Sequence, residues 1–226
     1  MNDLIIFLMP NIGKLGGEFM ECFYQTLTMI GVSGTISWFL GVIIGTLLVV
    51  CRRNGIMENL TLFTFFDRSI DLIRSIPFII LIVLLIPLSR LIVGTASGVE
   101  GSFVALVFGT VPFFSRQIES VLSDIDKGLV EASLAMGFSP METIFTVYLK
   151  ESIPGITRVT MITFVSFIGI TAIAGAIGAG GIGDFAIRYG YQMGYRDMIW
   201  LTVAVILLII SIFQFIGNLI IKKTTH

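Results

Sequence analysis

Five long apolar runs dominate the chain, at about residues 22–51, 65–88, 99–114, 153–177 and 198–221. A bilayer's hydrocarbon core is about 30 Å thick, and about 20 helical residues span it. Lipid offers no partner for backbone N–H and C=O groups, so a run of this length must satisfy them within itself, as a helix does. The predicted fold class is all-α: a polytopic membrane protein with five transmembrane helices, one domain over residues 1–226, and a cytoplasmic hairpin over 115–152 between spans three and four. The chain is 55% hydrophobic and 13% charged, with mean hydropathy +0.98. Ordinary soluble domains carry about 25% charged residues. Gly109 and Pro112 interrupt run three, and Asp67, Arg68, Asp71 and Arg74 occupy the first half of run two.

Lys and Arg set the orientation, since cytoplasmic loops hold the excess. One set of loops holds eight: Arg52, Arg53, Arg116, Lys127, Lys150, Arg158, Lys222 and Lys223. The other holds four: Lys14, Arg90, Arg188 and Arg196. The richer set is predicted to be cytoplasmic, which puts the N-terminus outside and the C-terminus inside. The first apolar run follows Glu18 and Glu21, not a basic segment, so no cleavable signal peptide is expected.

Several functions are disfavoured at once. A net charge of −1 leaves no basic patch for nucleic acid. Cys22 and Cys51 fall near opposite membrane faces and cannot pair. The one histidine, His226, is the last residue, so no Cys/His metal site is expected. There is no nucleophile–base set, and Asp124 and Asp126 read as capping or solvated groups.

The segment 115–152 has readable local chemistry. Ser123 or Asp124 can cap a helix running through Glu131 and Met136. Gly137 suits the left-handed residue just past a helix end. Ser139-Pro140-Met141-Glu142 then reads as a new start, with Ser139 as cap, Pro140 first in the helix and Glu142 closing a capping box. Two helices joined by a tight turn at Gly137-Phe138 are predicted.

Gly178, Gly180 and Gly183 formally match a dinucleotide fingerprint, but they follow a membrane-length apolar run instead of a strand. Close helix packing and an unwound turn fit better, continued by Ala172, Ala174, Gly175 and Ala176. No phosphate-binding loop occurs, so any ATP would be bound by another chain. Arg74 reads either as a pore or packing residue or as a snorkelling charge. Asp67 and Arg68 read as snorkelling charges at a protruding helix end. Gly41 and Gly45 form a helix-contact pair. Tyr189, Tyr191 and Tyr195 read as an interfacial belt, with an outer gate or partner-docking surface as the alternative.

Glu131-Ala132-Ser133-Leu134-Ala135-Met136-Gly137 resembles the EAA motif of binding-protein-dependent ABC importer permeases. It departs from it at Ser133, where Ala is usual, and at Lys150, where Pro is usual. The segments Arg74–Ile80, Ile92–Thr95, Glu131–Pro140, Ala174–Gly183 and Tyr189–Tyr191 are similar to the methionine-importer branch. The resemblance covers about residues 22–217 and implies a homodimer in a bacterial cell membrane, in contact with lipid. Its implied partners are two cytoplasmic ATPase subunits, which bind the ATP, and an extracytoplasmic substrate-binding lipoprotein delivering methionine. No cofactor or metal is implied for this chain, which is no enzyme itself. ATPase docking is expected at Glu131, Ala132, Ser133, Ala135, Met136, Gly137, Phe138, Ser139 and Pro140. Pore or packing roles are expected at Arg74, Ser75, Pro77, Gly169, Ala172, Gly175 and Gly178. An outer gate or docking surface is expected at Gly180, Gly181, Tyr189 and Tyr191. The alternatives are import of another amino acid or small peptide, or an ion-coupled transporter or channel. The latter usually needs titratable residues deep in the spans, and runs one, three, four and five have none.

Overall fold

A computed structural model describes residues 11–224, and every regular element among them is helical. His226 lies outside the described residues. The helices are α1 (Ile12–Val50), α2 (Leu60–Arg74), α3 (Phe78–Leu84), α4 (Ile86–Val93), α5 (Gly98–Ser123), α6 (Lys127–Ala135), α7 (Pro140–Thr143), α8 (Ile153–Ala174), α9 (Gly181–Phe185) and α10 (Arg196–Thr224). Wider turns with i→i+5 bonds interrupt α1 at Ile30–Gly34 and extend α7 over Ile144–Leu149, α8 over Gly175–Ala179 and α9 over Ala186–Gln192.

Among the described residues, four helical stretches are long and apolar enough to cross a membrane: Ile12–Val50, Gly98–Ser123, Ile153–Ala179 and Arg196–Thr224. The expected second span, 65–88, is not one helix. It is divided among α2, α3 and α4. Pro77 lacks an N–H and turns Ile76 away from helical geometry, so α2 stops before it and α3 starts just after it. Pro87 lies in the first turn of α4, and Gly94, at φ +83°, ends that helix.

The other runs also end differently from their hydropathy limits. α1 begins ten residues before the expected 22, because a helix can continue through Lys14, Glu18 and Glu21 once it leaves lipid. Its 39 residues rise about 58 Å, well over the hydrocarbon thickness. α5 continues past the expected 114 to Ser123 and contains Pro112. The polar stretch predicted to start the hairpin at 115 is therefore the last part of a long helix.

The chain packs as two compact units. The first contains the described residues up to Thr35, with Pro77–Val107 and Phe164–Ile212. Met29, Leu106, Phe167, Ala174 and Ala179 form one of its cores, and Phe19, Cys22, Phe185 and Met198 form another. Asn11 donates its side-chain and backbone N–H groups to the Asp197 carboxylate, tying the start of α1 to the start of α10.

The second unit contains Ile36–Ile76, Phe108–Thr163 and the chain from Phe213 onward. Its core joins Val49, Val50 and Cys51 of the α1 end with Phe114, Ile118 and Leu122 of α5, and with Val130, Ile144 and Tyr148 of the hairpin. The Gly41/Gly45 pair is a true contact site: a Cβ on Gly41 would collide with the Phe114 ring, and one on Gly45 with Ile118 and the Ser115 carbonyl. Trp38 donates its indole N–H to Thr160 Oγ1 at 3.1 Å.

Candidate functional site: a capped hairpin

The hairpin is built from local signals. Asp126, not the predicted Ser123 or Asp124, caps α6, its carboxylate accepting from Gly128 N at 2.8 Å. Ser123 is still the end of α5, where its hydroxyl accepts from Arg52 Nη1 at 3.0 Å. At the far end of α6, Phe138 N donates to Ser133 O at 3.2 Å and Gly137 N to Leu134 O at 3.0 Å. Gly137 sits at φ +91°. This is a Schellman ending, which satisfies two carbonyls that the helix leaves open.

The return arm starts as predicted. Ser139 Oγ accepts from Glu142 N at 3.3 Å, and Glu142 Oε2 accepts from Ser139 N at 2.7 Å. The Ser139 hydroxyl also donates to Glu142 Oε2 at 2.8 Å. Donation from the Ser139 backbone first, and from its hydroxyl second, holds the Glu142 carboxyl below its ordinary pKa. Pro140 takes the first helical position.

Of the residues expected to dock an ATPase, Glu131, Ala132, Ala135, Met136, Gly137, Phe138, Ser139 and Pro140 are exposed, and Ser133 is buried. Leu134, Met136, Phe138, Met141 and Phe145 leave apolar side chains exposed on the same hairpin. The opposite side inserts Val130, Ile144 and Tyr148 into the core of the second unit. The result is a stiff element with one anchored side and one free apolar side.

The charged residues of α2 are not idle. Asp67 and Asp71, one turn apart on α2, both accept from Arg116 Nη2 on α5, at 2.7 and 2.8 Å. Asp67 is therefore an ion-pair partner and not a snorkelling charge. Arg74 and Ser75 are exposed at the α2 end, where Ser75 Oγ donates to Asp71 O at 2.8 Å. Pro77 precedes the first turn of α3.

The glycine-rich segment of the first unit unwinds as expected. Ile177 and Gly178 leave helical geometry, Gly178 at φ +100°, and Gly180 and Gly181 sit at φ +84° and +83°. The α9 start has no side-chain cap of its own. α1 supplies it: Gln25 Oε1 accepts from Gly181 N at 2.7 Å and Thr26 Oγ1 from Ile182 N at 2.8 Å. A Cβ on Gly175 would lie 2.7 Å from Asp184 N and Gly180 O, and one on Gly183 would meet the Ala172 carbonyl. Ala172 and Gly175 therefore act in packing. Gly169 is exposed with open space around it. Gly178 lines a recess with Ile82, Ile86, Ser89 and Ser102. Tyr189 packs against Phe185 at 4.9 Å between ring centroids, with the Arg188 guanidinium 4.8 Å from its ring. Tyr191 is 78% exposed and is free for a partner.

Sequence reasoning missed Gln25, Thr26 and Arg116, and also Thr143, whose buried hydroxyl meets that of Ser133. The one available signal was polarity: Gln25 and Thr26 interrupt an apolar run, and Arg116 comes two residues after the end of another. Among the described residues, no group of His, Cys, Asp or Glu is arranged to hold a metal.

Residues 37–225 match the family model described as the binding-protein-dependent transport system inner membrane component. The chain belongs to this family. Among the permease's relatives is a probable D-methionine transport system permease of Vibrio cholerae, 37% identical over 90% of both chains. The methionine import system permease of Bacillus subtilis is 38% identical over 93% of this chain and 94% of its own. A solved structure of the inward-facing MetNI methionine ABC transporter contains a chain that superposes with a TM-score of 0.87 at 37% identity. That match covers 92% of this permease and 96% of the other chain. The permease is thus a multi-pass membrane protein and a transport subunit of an ABC importer, similar to the methionine permeases.

Proposed function

We propose that this permease forms, as a pair of identical copies, the translocation pore of an ATP-driven methionine importer. Two cytoplasmic ATPase subunits would bind the ATP and dock on the exposed face around Glu131–Pro140. A substrate-binding lipoprotein would deliver methionine on the opposite side, where Gly180, Gly181, Tyr189 and Tyr191 are the candidate gate or docking residues. The N-terminus lies outside and the C-terminus in the cytoplasm, in keeping with the eight-to-four distribution of Lys and Arg.

The observation that carries the reading is the hairpin's two-sidedness. Its free face offers Met136, Phe138 and Met141 to a partner. Its other face is packed against α5 and the end of α1. Closure of a docked ATPase pair would move the hairpin as a rigid body and carry α5 with it, alternating the pore's access. The relatives named for methionine support the substrate.

The test is uptake in proteoliposomes holding the permease with its ATPase and loaded binding protein. Labelled L-methionine should accumulate only with ATP, and unlabelled L- or D-methionine should compete. Competition by an unrelated amino acid alone would overturn the substrate assignment. Accumulation without ATP would overturn the importer assignment.

A further inference from the structure

A single guanidinium ties α2 to the helix that leads into the hairpin. Arg116 Nη2 donates to Asp67 Oδ1 at 2.7 Å, to Asp71 Oδ1 at 2.8 Å and to the Asp67 carbonyl at 3.3 Å. Its Nη1 donates to Glu119 Oε2 at 2.8 Å, one turn along α5. Charged hydrogen bonds of this length are the strong ones, and a planar fork fixes direction as well as distance.

Little else holds the later turns of α2. Of its 15 residues only Ile70 is buried. Leu62 and Phe63 pack on the core, but they belong to its first turn. Asp67 and Asp71 lie one turn apart, so Arg116 grips α2 along its length instead of at a point. On the α5 side, Arg116 is two residues from Phe114 and Ile118, the same core residues that meet the hairpin. The hairpin's first cap, Asp126, follows the end of α5 at Ser123 almost at once.

We propose that Arg116 is the positioning residue that makes α2 travel with α5 and the hairpin when the transporter changes state. This rests on the importer reading above. Arg116 touches no substrate; it converts a push on the hairpin into a displacement of α2, whose end at Arg74 and Ser75 leads to the Pro77 break. Asp67, 33% exposed, is the sheltered arm of the grip, and Asp71, 63% exposed, is the open one.

The experiment measures ATP hydrolysis and methionine uptake separately in proteoliposomes of the whole complex. Arg116→Gln should keep hydrolysis within about twofold while uptake falls about tenfold, a size usual for coupling between linked elements. Arg116→Lys, which keeps the charge and loses the fork, should recover part of the loss. Asp71→Asn removes only the exposed arm and cannot threaten folding; it should lower uptake about threefold at unchanged hydrolysis, as an exposed ion pair contributes. Unchanged uptake in Arg116→Gln and Asp71→Asn would overturn the proposal. So would a parallel fall of uptake and hydrolysis in Asp71→Asn, which marks a purely structural role. The unsubstituted protein in the same vesicles tests the underlying reading: uptake without ATP there sinks the importer function, whereas ATP-driven uptake indifferent to Arg116 sinks only its positioning role.

Discussion

The hydroxyls of Ser133 and Thr143 meet at 3.0 Å inside the hairpin, one on each arm. Ser133 is 1% exposed and Thr143 is fully buried. Ser133 is also the position where the EAA-like segment departs from its usual Ala. The departure is not a neutral exchange of small residues. It creates a cross-link between α6 and α7 in a place where water cannot substitute.

Ser133→Ala should therefore destabilise the hairpin, although it restores the commoner residue. Thr143 would keep a buried hydroxyl without its partner, at a cost of about 1–3 kcal/mol. Adding Thr143→Val removes that orphan and should recover part of the loss. Thermal unfolding of the two variants in detergent checks the order; a double variant less stable than Ser133→Ala would contradict it.

Gly137→Ala should cost about 1–2 kcal/mol, the penalty of a left-handed conformation for a residue with a Cβ. No neighbour lies within 4 Å of such a Cβ, so the strain is purely conformational. Gly137→Asn should be milder, because Asn tolerates that region better. Thermal stability of the assembled complex and ATP-driven uptake read the difference.

Gly181→Ala should be worse than Gly178→Ala. Both have positive φ, but a Cβ on Gly181 would also lie 2.6 Å from Thr26 Oγ1, while Gly178 has open space. Thr26→Val should act on the same place by another route. It leaves Ile182 N–H, buried, without its acceptor, at about 1–3 kcal/mol. Hydrogen exchange at the start of α9 should speed up in Gly181→Ala and Thr26→Val and stay near normal in Gly178→Ala.

Acid should loosen the return arm. The Glu142 carboxyl is held below its ordinary pKa by donors from Ser139. A group whose folded pKa is depressed stabilises the fold above its unfolded value, and that contribution is lost as pH falls through the folded value. Protection against hydrogen exchange at Ser139 and Met141–Thr143, relative to intrinsic rates, should therefore be full at neutral pH and fall once the pH drops through the depressed pKa of Glu142. In Glu142→Gln the rates, corrected for intrinsic chemistry, should lose that step.

Short-range chemistry was legible before any fold was known. Apolar runs of bilayer length, Gly137 past a helix end, the Ser139–Glu142 box and the unwound glycines near Gly178 all depend on residues within a turn or so of each other. Hydropathy alone misjudged the ends of α5 and the continuity of 65–88. Helices continue through polar residues such as Arg116 and Gln117, and stop at Pro77 however apolar the run. Ser123, Asp124 and Asp126 offer the same local capping chemistry, and only the end of α5 at Ser123 leaves Asp126 in the capping position.

What the sequence alone determined about this protein is its class and its punctuation: a helical membrane protein with a capped hairpin between long spans. The tertiary structure alone decided which side chains complete one another: Ser133 with Thr143, Arg116 with Asp67 and Asp71, Gln25 and Thr26 with the start of α9. The physical reason is separation. A cap or a left-handed glycine is satisfied by neighbours in the chain. Gln25 and Gly181 are 156 residues apart, and nothing in either residue says that packing will turn those faces together.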